Sequence, residues 1–135
     1  MTRSGYHEDC DGWSLIRWRG AVASAIRGAR GQAFLKEMLK ALDALPEKRL
    51  IASALVSAEG ECCALGSVAL LRQLDTKDVD AYDREAVAGL MGIAEALAAE
   101  IAFVNDDDFG YGERTPEQRF QCVRAWVVEQ IKPEP

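Results

Sequence analysis

Several groups of residues in this sequence have types that do chemistry, and each group needs a spacing as well as a type. His7-x-x-Cys10 and the adjacent pair Cys62-Cys63 are nitrogen and sulfur donors of the kind that hold zinc. Their spacing is poor for it. Compact structural zinc sites use Cys-x-x-Cys units, and His7 is the only histidine, so small apolar side chains packed in a core are the better reading of the cysteines. Cys10 is also the one conceivable nucleophile, but Asp9 and Asp11 flank it, and neighbouring carboxylates raise a thiol pKa and leave less thiolate. The sequence has no Gly-x-Ser-x-Gly, no phosphate-cradling loop ending in Lys-Ser/Thr and no His-Glu-x-x-His. We therefore expect a non-enzyme, with no catalytic residue, no metal site and no cofactor.

The stretch Asn105-Asp106-Asp107-Asp108-Phe109-Gly110 offers oxygen ligands at its first and third positions and a glycine at the sixth, as a calcium loop does. The register then fails, with Phe109 at the fifth position and Pro116 at the twelfth, where a bidentate glutamate belongs. An exposed acidic loop over 105–114 is the expectation, and Asp106, Asp107 and Asp108 become candidate binding residues. Ala88, Gly92, Leu97 and Ile101 follow a helix-turn-helix rhythm, yet Glu95 and Glu100 on the second helix repel phosphates and no arginine there reads guanine. The segment Trp13 to Arg30 is richer: it gathers Trp13, Trp18, Arg17, Arg19, Arg27 and Arg30, and tryptophan and arginine dominate binding hot spots.

These residues need elements to position them. From Trp13 to Arg27 a helix is expected, with Leu15, Trp18, Val22, Ala25 and Ile26 facing the core. Trp13, Arg17, Gly20, Ser24 and Arg27 then form an outward strip of small residues edged by cations. That strip, with Arg30, fits a partner helix, an acidic protein surface or nucleic acid. Alternatively its arginines pair with Glu37, Asp43 or the acidic half of the chain. Gly28 to Gly31 breaks the helix through a left-handed cap. Gln32 to Leu45 is a second helix with Phe34, Leu35, Met38, Leu39, Leu42 and Leu45 on one arc, ended by Pro46. Residues 49–65 read as a small β-hairpin turning at Ser57 to Glu61, with a helix over Leu50 to Ser57 the competing reading. Helices follow at Ser67 to Leu74, Ala81 to Met91 and Ile93 to Val104. A last helix starts where Thr115 as N-cap, Pro116 at the first helical position and Gln118 two residues later agree, with Phe120, Val123, Val127 and Ile131 as its buried stripe.

The fold class expected is mainly α: one compact bundle of about five to six helices over residues 1–135, with residues 1–12 irregular. The size supports a single core, since 135 residues is a common single-domain length. Hydrophobic residues at 49% and charged residues at 28% are ordinary for a globular chain and exclude low-complexity disorder. No run approaches the roughly 20 apolar residues of a membrane span, and Met1 to Asp11 is polar, so a cytoplasmic protein with reduced thiols is expected. The net charge of −6 is uneven: residues 1–50 hold nine Lys/Arg against six Asp/Glu, whereas residues 75–119 hold four against twelve. Such a lopsided charge steers association with charged partners.

Asp9 to Gly20, Gly31 to Leu35, Thr115 to Arg119 and Arg124 to Val127 together resemble a group of small phage and prophage proteins of unknown function, over about residues 5–131. The resemblance implies a context and carries over no catalytic or ligand residue. Small acidic phage proteins often bind host machinery, including restriction and CRISPR complexes. A dedicated nucleic-acid mimic is usually more acidic than this chain, so occlusion through an ordinary protein interface is the mechanism implied. The expectation is an interaction protein binding a host or phage protein complex. The alternative is a small DNA-associated regulator or accessory factor using the basic N-terminal helix.

Overall fold

The computed structural model describes residues 2–6, 12–106 and 113–133, apart from the side chains of residues 12–14. Six helices occur among them: α1 Gly12–Arg27, α2 Ala29–Ala44, α3 Ala64–Leu71, α4 Arg84–Met91, α5 Glu95–Asp106 and α6 Pro116–Gln130. The mainly helical expectation holds at that level.

The hub is α5, which packs against α1, α3, α4 and α6. Its sequence explains why. Ala96, Ala98, Ala99 and Ala102 let neighbours approach from several sides while Leu97 and Ile101 fill the space between, and nine of its twelve residues are buried. A helix apolar all round belongs in a core. On the other side α2 packs on α1, α3 and α6. Phe34, Leu35, Met38 and Leu42 are buried there, each contributing about 1.5–3 kcal/mol.

The α1–α2 junction differs from expectation. No left-handed cap is used: Gly28 is an extended N-cap at φ −65°, and Gly31 lies inside α2 and is buried. A Cβ on Gly31 would stand 1.8 Å from the Ala25 carbonyl oxygen, so this glycine is required by close helix approach. Gly92 does supply a left-handed cap, at the end of α4 (φ 73°). The start of α6 is as expected, with a reciprocal capping box between Thr115 and Gln118.

The β-hairpin over 49–65 is not formed. Among the described residues there is no strand, only a single antiparallel bridge between Val56 and Cys62 across the Ser57–Glu61 turn. The competing helix is absent too. Several backbone groups of this segment are taken by distant residues: Leu50 N–H bonds Pro116 O, Ile51 O accepts from Asn105, and Ala54 O accepts from Arg3. Ser53 adopts a left-handed φ of 65° and gives its N–H to Asp106. The two arms still exchange the bonds Ile51 N–H to Cys62 O and Cys63 N–H to Leu55 O, but with other groups held elsewhere no regular ladder develops.

Candidate functional site

α1 lies against the body by its inward side, where Val22 is buried and Trp18, Ala25 and Ile26 are half-buried. Its outward side is exposed at Arg17, Gly20, Ser24 and Arg27, as the helical spacing requires. Leu15 departs from expectation. Placed on the core side by periodicity, it is 47% exposed, and its neighbour Ile16 is 64% exposed. Periodicity gives the direction of a side chain but not whether another element reaches it.

Beneath α1 a polar network fixes the helix. Glu100 of α5, only 6% exposed, accepts from Arg19 Nη1 at 2.7 Å, from Arg19 Nη2 at 3.0 Å and from the Tyr6 hydroxyl at 2.9 Å. Trp18 Nε1 donates to the same hydroxyl at 2.7 Å. Burial pushes the Tyr6 phenol up, so it stays protonated and keeps its proton for Glu100. The Arg84 guanidinium lies 5.7 Å from the centre of the Trp18 ring, bringing the start of α4 beside α1.

The network consumes one arginine and leaves others. Arg19 is held by Glu100, whereas Arg17, Arg27 and Arg30 are exposed and form no ion pair with another described residue. Their suggested partners are taken: Glu37 binds Arg72, and Asp43 binds Arg124 at 2.7 Å. Residues 12–36 contain five cations and no carboxylate. Lys132 adds its charge at the elbow, where Nζ donates to Arg27 O at 2.8 Å. The result is a helix whose exposed part carries the aliphatic Leu15 and Ile16, with Arg17 and Arg27, and Arg30 at the start of α2, forming no ion pair with a described residue.

Known protein families, curated proteins and solved structures give no match to this chain.

The other candidate residues are differently placed. Asp106 does not belong to an exposed loop: it is the last residue of α5, with its side chain 7% exposed and bound to Arg3. Asn105 is fully buried, accepts from Ala64 N–H at 3.0 Å and donates to Ile51 O at 2.9 Å. Both are therefore withdrawn from any calcium loop. Asp107 and Asp108 lie outside the described residues, as do His7 and Cys10. The backbone of Trp13 falls within α1, and its side chain is outside the described set.

Cys62 and Cys63 are buried and unpaired. Burial pushes the Cys62 thiol up to about 12, and Cys63 Sγ caps α3 by accepting from Gly66 N–H at 3.3 Å. No group of three His, Cys, Asp or Glu able to hold a metal exists among the described residues. The helix-turn-helix rhythm does correspond to two helices, α4 and α5, bent by 104° at Gly92. The second of them is the buried hub, so it cannot enter a DNA groove.

Three anchoring residues escaped the sequence reading: Arg3, Glu100 and Asn105. Arg3 gave no signal, standing alone in an irregular start. Glu100 did leave one, as the single polar residue inside an otherwise apolar run from Ala96 to Val104, the pattern of a buried side chain with a partner, whereas Asn105 adjoins three aspartates and left none.

Proposed function

We propose that this chain is a non-catalytic interaction protein of phage or prophage origin, binding a host or phage protein complex in the cytoplasm, with defence assemblies such as restriction or CRISPR complexes the class in view. The exposed start of α1 and its outward face carry the reading. Ile16 and Leu15 stand 64% and 47% exposed beside Arg17, with Arg27 and Arg30 further along and no ion pair to any of the three among the described residues. Scattered exposed aliphatics are ordinary. Here Ile16 adjoins Arg17 on an anchored helix that ends at Arg27, with Arg30 opening the next, the mixture of apolar contact and planar cation that protein interfaces favour. The helix is pre-positioned by the Tyr6–Trp18–Arg19–Glu100 network, so little ordering is needed on binding.

A second reading, a DNA-associated accessory factor, is favoured by the run of five cations without a carboxylate in residues 12–36. The two separate experimentally. Tagged wild type, Ile16→Ser and Arg17→Glu/Arg27→Glu are used to capture partners from bacterial lysate, with and without nuclease. A stoichiometric protein that survives nuclease and is lost with Ile16→Ser supports the protein interface. Capture of nucleic acid alone, unaffected by Ile16→Ser and falling steeply with salt, supports the second reading and overturns the first.

A further inference from the structure

We infer that a second copy of this chain covers the α1 face, through its acidic segment 75–85, when no other partner is present. The inference rests on α1 being a docking face and adds what occupies it. The large hydrophobic side chains left exposed among the described residues are Leu15, Ile16, Leu70, Leu71, Tyr82 and Val128. The first two stand among the free arginines of α1. Leu70 and Leu71, at the end of α3, precede the segment that exposes Asp75, Asp78, Asp80, Asp83 and Glu85, and Tyr82 lies within it. Five of these six side chains thus lie in, or within five residues of, two stretches of opposite net charge, each combining apolar side chains with a dominant sign.

Within one molecule the two patches do not satisfy each other. Leu15 and Ile16 stay open, and Arg17, Arg27 and Arg30 form no ion pair with a described carboxylate. Of the two cations inside the acidic segment, Arg84 is turned away, donating to Ser4 O at 3.1 Å and lying over Trp18. Another copy can supply the pairing that one molecule leaves unmade. Because Arg84 rests on Trp18, the start of α4 borders α1, and a twofold arrangement can lay each α1 on the other copy's acidic segment, closing a dimer rather than an open chain. Opposite potentials bring the copies together, and salt screens them: the Debye length falls from about 10 Å at 0.1 M to about 3 Å at 1 M.

The test is sedimentation equilibrium of the full chain at low and high salt. Dimer mass is expected at about 0.05 M NaCl and monomer mass at about 1 M. Arg17→Glu/Arg27→Glu reverses one patch. Asp78→Lys/Glu85→Lys reverses the other and spares Asp75, Asp80 and Asp83, whose carboxylates hold the N–H groups of Lys77, Tyr82 and Ala86. Each variant alone should be monomeric, with unchanged circular dichroism, and an equimolar mixture of the two should recover the dimer. A monomeric wild type at low salt, a dimer indifferent to either reversal, or a mixture that stays monomeric overturns the inference. If the wild type is monomeric while Arg17→Glu/Arg27→Glu still loses a captured protein, only the self-pairing falls and the docking reading stands.

Discussion

Arg3→Met removes a charge from the least expected anchor in the molecule. The Arg3 side chain is 2% exposed and donates from Nε to Asp106 Oδ2 at 2.6 Å, from Nη2 to Oδ1 at 2.7 Å, and from Nη1 to Ala54 O and Cys63 Sγ. Methionine keeps much of the stem and leaves the 7%-exposed Asp106 carboxylate without its counter-ion. Breaking a buried pair from one side costs about 3–5 kcal/mol, a large part of the roughly 5–15 kcal/mol of a typical domain. The pH dependence gives a sharper signature. In the wild type, burial pushes the Asp106 carboxyl up, but the Arg3 guanidinium and the Asn105 and Ser53 N–H groups outweigh it and hold it below the usual range. Its stabilisation is therefore present above the unfolded aspartate pKa, about 3.9, and is lost as pH falls through the depressed folded value. With Arg3 gone, burial dominates and the carboxyl rises above its unfolded value, so stability grows as pH falls toward 5. Urea unfolding followed by circular dichroism at pH 7 and pH 5 measures both effects. A loss under about 0.5 kcal/mol at pH 7, the ordinary range for surface substitutions, or parallel pH slopes in the two proteins, refutes the reasoning.

Three further outcomes follow from the packing. Gly31→Ala and Gly66→Ala should each cost several kcal/mol, roughly the 4–5 kcal/mol of a severe core lesion, since their Cβ atoms would meet backbone oxygens at 1.8 and 1.9 Å. Gly20→Ala, with nothing within 4 Å, should instead stabilise by about 0.5–1 kcal/mol, and thermal melts of the three variants check the ranking. Iodoacetamide at neutral pH should label exposed Cys122 rapidly and reach buried Cys62 and Cys63 only on unfolding, as peptide mass spectrometry will show; fast native labelling of Cys62 would contradict its burial. Glu100→Gln weakens the hold on Arg19, which is half exposed and can turn to water, so a modest loss of about 1–2 kcal/mol is expected in urea titration, together with a change in tryptophan fluorescence from Trp18.

Much of this chain is legible from local pattern. The Thr115–Gln118 capping box is a contact between residues three apart, and the stripe Phe120, Val123 and Val127 repeats at helical spacing, so neighbours in sequence carry the information. The outward strip Arg17, Gly20, Ser24 and Arg27 was readable for the same reason. Residues 49–65 were not, because several of their backbone groups bond to Arg3, Asn105, Asp106 and Pro116, partners up to 66 positions away that no local window contains.

By itself, then, the amino-acid sequence determined the helical class, the last helix with its start, the uneven charge and the direction in which the described α1 side chains point. These follow from propensity, capping and periodicity, which act over a few residues. Only the tertiary structure decided that Asp106 is an internal anchor, that the second helix of the Gly92 turn is the core, and that Leu15 and Ile16 remain uncovered among unpaired arginines. Burial is a property of which elements meet, and that meeting is set by long-range packing rather than by any one segment.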